Sequence, residues 1–182
     1  QETFSGQEIE ALDRALSDYV TDQKLTNLSY GVWQNGALIK SGFYGPVSRT
    51  NEQTVSEMSI HRIFSMTKPV TAVGLLILME QGHFTLDDPI TKFLPEFEET
   101  EVLADYNEAG EMFTYRSIRP PNMGHLLSHT AGFVYGNGGE GFLEQRLTAL
   151  NVNASENTTE LVEKVASLPY NAYPGSEWTY SI

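Results

Sequence analysis

Between Ile63 and Val70 the chain sets a hydroxyl, Ser65, three residues ahead of an amine, Lys68, at the head of an apolar run from Thr71 to Gln81. Residues at i and i+3 share a helix face, so Lys68 can reach the Ser65 oxygen. Pro69 agrees with this, because proline is tolerated only in the first turn of a helix. The helix is therefore predicted to begin close to Ser65, beside free backbone N–H groups and the positive end of the helix dipole. There a neutral lysine could deprotonate the serine, and backbone amides could hold an oxyanion formed beside it. The ordinary alternative is a helix-capping serine followed by a solvated lysine. What favours chemistry is the segment behind it. Val70, Val73, Gly74, Ile77 and Leu78 form one apolar stripe, and Leu75, Leu76 and Met79 add apolar side chains beside it. A helix apolar nearly all round is predicted to be buried, and burial at its mouth would favour an uncharged Lys68.

Composition narrows the classes. Against 11 Lys and Arg stand 24 Asp and Glu, a net charge of −13, so no basic stripe exists to neutralise nucleic-acid phosphates. The absence of cysteine excludes disulfides, thiolate catalysis and Cys-based metal sites. No stretch reaches the roughly 18 apolar residues of a membrane-spanning helix. Nothing in the sequence assigns a compartment. With 182 residues, 40% of them hydrophobic, the chain suits one domain or two small ones.

Along the chain, Ile9, Leu12, Leu16, Tyr19 and Val20 recur at helical spacing, and Ser5 and Glu8 form a capping-box pattern. Leu28 to Trp33 alternates, Asn35-Gly36 is a strong hairpin-turn signal, and Ala37 to Tyr44 returns as a strand. A helix followed by an antiparallel hairpin begins an α+β layer. Residues 45–59 read as polar and irregular. Gly82 ends the Ser65 helix, and Pro89 is placed to open a short helix running to Leu94. Residues 96–119 form a long excursion with short strands around Met112 to Tyr115. A short helix carrying Met123, Leu126 and Leu127 is predicted to open at Pro121-Asn122 and close at Ala131-Gly132, and helices follow over 142–150 and 158–168, the last with Thr158 and Glu160 supplying cap chemistry. A Pro/Gly turn at Tyr170 to Gly175 precedes the terminal stretch Ser176 to Ile182.

Read in order, Phe64-Ser65-Met66-Thr67-Lys68-Pro69, Gly82 to Ile90, Phe93-Leu94-Pro95-Glu96-Phe97, His125-Leu126-Leu127-Ser128-His129-Thr130-Ala131-Gly132 and Tyr173-Pro174-Gly175-Ser176 with Tyr180-Ser181 resemble the serine β-lactamase and penicillin-binding-protein-like superfamily. The similarity is to its class C-like branch, which includes family VIII carboxylesterases, D-aminopeptidases and acyltransferases. The resemblance implies an α+β fold, an antiparallel sheet flanked by helices with an inserted, mostly helical domain. Residues 1–62 would be the first part of the α/β domain, 63–119 the nucleophile helix and excursion, and 120–182 the helical domain ending at the Tyr motif. It further implies Ser65 as the acylated nucleophile, Lys68 as a base that helps activate it, and Tyr180 as the tyrosine that relays the proton. Phe133, Tyr135 and Trp178 are candidates for the wall of an acyl pocket, with core packing as the alternative.

Two departures accompany the resemblance. The asparagine that the family sets two residues after its tyrosine falls at Ile182, which tilts the reading from β-lactams toward simpler esters. The third family motif, Lys-Thr-Gly or a His-x-Gly or Trp-x-Gly variant, is not in these 182 residues. The hairpin at 28–44 would also lack strands to cover its edges, so a protein about twice as long is expected, its C-terminal half a further segment or a second chain. The expected activity is a serine hydrolase acting on small esters or amides. The rivals are a catalytically inactive binding protein of the same fold and a metal-dependent hydrolase using His125 and His129. Those histidines have zincin spacing, but Leu126 stands where the glutamate base would follow, so helix packing is the simpler reading. Asp87 and Asp88 precede Pro89 as turn and cap residues rather than paired acids. Gly136 to Gly141 has neither the preceding strand nor the following Lys of a phosphate loop. No cofactor is called for.

Overall fold

The computed structural model describes residues 4–136 and 138–181. The expectation placed on Ile182 lies outside them, as does Asn137 within the Gly-rich stretch. Two units divide the chain, Gln1–Phe64 and Ser65–Ile182.

The first unit opens with α1 (Gly6–Thr21), which starts where the sequence says it should. Ser5 and Glu8 form the reciprocal capping box, the Ser5 N–H donating to Glu8 Oε2 at 2.8 Å and the Glu8 N–H to Ser5 Oγ at 3.3 Å. β1 (Leu28–Gln34) and β2 (Ala37–Tyr44) pair antiparallel from Leu28↔Tyr44 to Gln34↔Ala37. Their two-residue turn has φ of 52° at Asn35 and 79° at Gly36. Positive φ at both positions marks the turn whose twist matches paired strands. Residues 45–59 are more regular than predicted: β3 (Pro46–Ser48) and β4 (Asn51–Thr54) make a second small hairpin. Every residue of β4 is exposed, so no apolar alternation was there to signal it.

Within this unit Asp13 of α1 gathers three donors. The Tyr30 and Tyr44 hydroxyls, one from each strand of the first hairpin, donate to its Oδ1, and Lys40 Nζ stands 3.2 Å from Oδ2. Those hydrogen bonds, Tyr30's the strongest, hold the Asp13 carboxyl down to about 2.

In the second unit, α2 (Thr67–Glu80) follows a 3-10 turn at Phe64–Met66 and ends at Gln81-Gly82. Pro89 opens a 3-10 turn at Ile90–Lys92 rather than a helix reaching Leu94, and Pro95–Phe97 forms another. The turn before Pro89 is tied by Asp88, whose carboxylate accepts from the Thr85 N–H at 3.0 Å and from Lys92 Nζ at 2.8 Å. The excursion is a hairpin of β5 (Val102–Tyr106) and β6 (Met112–Tyr115). α3 (Met123–Leu127), α4 (Phe142–Ala149) and α5 (Thr158–Ala166) complete the regular structure. The cap of α5 is Asn157, one residue before the predicted chemistry, its Oδ1 accepting from the Glu160 N–H at 2.9 Å.

Phe84, Ile90, Phe97, Val102, Leu143, Leu147 and Tyr170 are among the side chains that form the core of this unit. The main chain of Tyr170 lies beside β5, accepting from the Leu103 N–H and donating to Glu101 O, each at 2.8 Å. The expected burial of α2 does not hold among the described residues. None of its side chains is buried, and Val70 and Ile77 are 67% and 47% exposed. No helix of the described residues is long and apolar enough to cross a membrane.

Candidate active site

The backbone turns sharply just before Ser65. Phe64 has φ of 46°, a left-handed conformation that a bulky residue adopts only under constraint. Ser65 is exposed on the 3-10 turn, and Lys68 is half-buried in the first turn of α2. No side chain caps the start of this helix, which leaves its first N–H groups without a capping partner.

Tyr180 arrives from the far end of the sequence. Its phenol is lowered below the usual tyrosine value by the neighbouring Ser65 hydroxyl and by Lys68. Ser65, whose hydroxyl favours the charged phenol, is the largest influence. With the Lys68 cation it outweighs partial desolvation. Lys68 Nζ also lies 4.9 Å from the Tyr180 ring centroid and 5.8 Å from that of Tyr135. The rings of Tyr135 and Tyr180 are themselves 5.3 Å apart. Ser65, Lys68, Tyr135 and Tyr180 are thus one cluster within the second unit.

Two chain segments deliver Tyr180 to that place. Asn122 and His125 cap α3 reciprocally, the His125 N–H donating to Asn122 Oδ1 at 2.8 Å and the Asn122 N–H to His125 Nδ1 at 3.2 Å. The chain then leaves α3 through His129, at φ 56°, and Gly132, at φ 91°. A β-carbon at Gly132 would stand 2.4 Å from the Ala172 carbonyl oxygen, so no other residue allows this approach. The Gly132 carbonyl accepts from the Asn171 N–H at 2.7 Å, and the Thr130 carbonyl from the Gly175 N–H at 2.8 Å. Residues 171–181 are therefore laid along residues 129–132.

The remaining candidates separate. Trp178 is exposed, its ring meeting that of His129 edge-on at 6.3 Å. Phe133, a candidate for pocket wall or core, packs on Phe97 at 5.3 Å and Tyr170 at 5.5 Å, and so belongs with the core. His125 and His129 do not work as a pair, since the first caps α3 and the second contacts residues 178–181. This engagement of His129 with the Tyr180 segment is what sequence reasoning missed. The signal available was its place in Ser128-His129-Thr130-Ala131-Gly132, immediately before a turn that needs glycine.

Comparison with known proteins agrees with this architecture. The beta-lactamase family model matches residues 12–182. The esterase EstB of Burkholderia gladioli is 28% identical over 171 residues, which cover 94% of this chain and 41% of that protein. Among solved structures, EstCE1, a hydrolase with promiscuous acyltransferase activity, superposes with a TM-score of 0.76 at 24% identity, over 96% of this chain and 44% of its own. Simvastatin synthase LovD from Aspergillus terreus does so with a TM-score of 0.73 at 20% identity, over 97% and 45%. The chain therefore spans less than half the length of these relatives. Its fold is the mixed α and β arrangement of β-lactamases and transpeptidases. With 171 of its residues matched from Leu12 onward, the chain belongs to the beta-lactamase family.

Proposed function

We propose that this chain carries the nucleophile and proton-transfer groups of a serine hydrolase that forms an acyl-enzyme on Ser65, acting on small carboxylic esters. The observation that carries the reading is the place of Tyr180, whose ring lies 4.9 Å from Lys68 Nζ and whose phenol Ser65 and Lys68 together hold below the usual tyrosine value. A tyrosine stabilised as phenolate in this way can take the serine proton. In acylation, Ser65 Oγ attacks the ester carbonyl carbon as its proton passes to the Tyr180 oxygen. The C–O bond to the alcohol then breaks, and Tyr180 returns the proton to the departing alkoxide. Lys68 balances the charge on the phenolate throughout. In deacylation water, or an acceptor alcohol, gives its proton to Tyr180 and attacks the acyl carbon; the bond to Ser65 Oγ breaks, and Tyr180 passes the proton to that oxygen. The Ser65 N–H would hold the oxyanion.

Tyr135 within the cluster, and Trp178 against His129, would contact the acyl group. That EstB is an esterase supports esters as the first substrates to try; β-lactams, D-amino peptides and acyl transfer come next. A second oxyanion donor and a cover for the apolar faces of α2 would come from the C-terminal half of the full-length protein.

Intact mass of the full-length protein before and after a fluorophosphonate probe, with Ser65→Ala in parallel, tests the reading. One adduct in the wild type and none in the variant is expected, as is loss of p-nitrophenyl ester hydrolysis by about 10²–10⁴ in Tyr180→Phe. An adduct that persists in Ser65→Ala would refute the nucleophile. A folded full-length protein that takes no adduct and cleaves no ester would instead be a binding protein of this fold.

A further inference from the structure

Tyr180 has to be held where a proton can pass, and the side chain that holds its segment is not part of the Ser-Lys-Tyr cluster. The His129 carbonyl accepts from the Thr179 N–H at 2.9 Å. Its Nδ1 accepts from the Ser181 N–H at 3.3 Å and lies 3.2 Å from Ser181 Oγ. The imidazole ring lies 4.9 Å from that of Tyr180, tilted by 38°, with Trp178 against it. One residue thus grips the chain on both sides of Tyr180 and packs on the ring between. Ser181 is buried, so the grip is sheltered from solvent on that side.

We propose that His129 is a positioning residue for Tyr180, its neutral imidazole and its carbonyl fixing residues 179–181 so that the phenol stays against Ser65 and Lys68. This rests on the reading of those three residues as the reacting groups. The left-handed backbone at His129 serves the purpose, because it is a conformation that His and Asn adopt more readily than most side chains. An Nδ1 that accepts from the Ser181 N–H leaves the neutral ring's proton on Nε2. A doubly protonated imidazole has no lone pair to offer, and the grip on Ser181 is lost. The neutral form is favoured here, since burial and then the Lys68 charge lower the histidine below its ordinary value. Among the described residues, Lys68 on α2 and the Tyr180 ring face it, with Tyr135 beyond that ring.

Steady-state ester hydrolysis by the full-length protein, with variants compared at equal helical content by circular dichroism, tests the proposal. His129→Ala is expected to lose on the order of 10²-fold in kcat with KM little changed, because misplacement by about 1 Å costs that much. His129→Asn supplies an uncharged acceptor and tolerates the left-handed backbone, so it recovers most of the loss. It should also hold its kcat at lower pH than the wild type, whose imidazole protonates. Wild-type kcat in His129→Ala beside an inactive Tyr180→Phe would overturn the proposal. A folded His129→Asn no better than His129→Ala would do the same. Should His129→Ala not fold, an acid limb of His129→Asn that superimposes on the wild type's rejects it. If Tyr180→Phe and Ser65→Ala both stay active, the functional reading fails first and the positioning role falls with it.

Discussion

Two parts of the second unit meet solvent in opposite ways. Around α4 and α5 the apolar residues are spent inward: Leu143 and Leu147 are each 2% exposed and Tyr170 1%. On α2, a more apolar sequence leaves Val70, Val73, Leu76, Ile77 and Leu78 exposed. Spacing explains the first case, since Leu143 and Leu147 are four apart and share one helix face, which the core covers. The second has no such face, because α2 is apolar on several sides at once. A helix of that kind is stable in water only with neighbours on all of them. The difference teaches that the α4–α5 region closes its packing within these residues, whereas α2 leaves most of its apolar side chains exposed.

The largest effect expected from this contrast is at Leu147. Leu147→Ala empties a fully enclosed site and should cost about 2–5 kcal/mol in chemical denaturation. A cost below ~1 kcal/mol would mean that the core around α4 collapses to fill the space. Next comes Ile77, half exposed in the present chain. In the full-length protein Ile77→Ala should cost about 2 kcal/mol or more, as a buried isoleucine does. A change within ~0.5 kcal/mol, typical of surface positions, would show that α2 keeps this face open in the finished molecule.

The same contrast explains what could be read before any coordinates. α1, the first hairpin and the start and end of α2 were legible because their signals are local: Ser5 with Glu8, Asn35 with Gly36, and Ser65 before Pro69. Pairing of β3 with β4 was not, since exposed β4 carries no alternation to read. Burial of α2 was misjudged for another reason. Periodicity reports what a segment can bury, while the cover itself comes from elsewhere. In the candidate site, the approach of Ser65, Lys68 and Tyr180 was accessible through ordered motifs, whereas Tyr135, weighed as pocket wall or core, lies beside Lys68 and Tyr180. Phe133 went to the core, a choice that hydrophobicity alone could not make. The grip of His129 on residues 179–181 depends on a left-handed backbone angle, which a sequence signals only weakly.

α1 sharpens the comparison, for it too has no buried residue and yet is anchored. Its anchor is polar: Asp13 held by Tyr30, Tyr44 and Lys40. Because the Asp13 carboxyl is lowered to about 2, its charged form is the one that the folded unit prefers. Its contribution to stability is complete above the ordinary aspartate value of about 3.9 and is lost as pH falls toward 2. Asp13→Asn keeps an oxygen that can accept from a tyrosine hydroxyl and removes only the charge. The effect at neutral pH should therefore be the smallest of the three, and its mark is a flattened slope. Denaturation followed through Trp33 in β1 should show wild-type stability falling more steeply than the variant's between about pH 4 and 2. Parallel slopes would mean that the carboxylate does not secure α1. What keeps this amphipathic helix in place would then be apolar contact, as with α4 and α5 of the second unit.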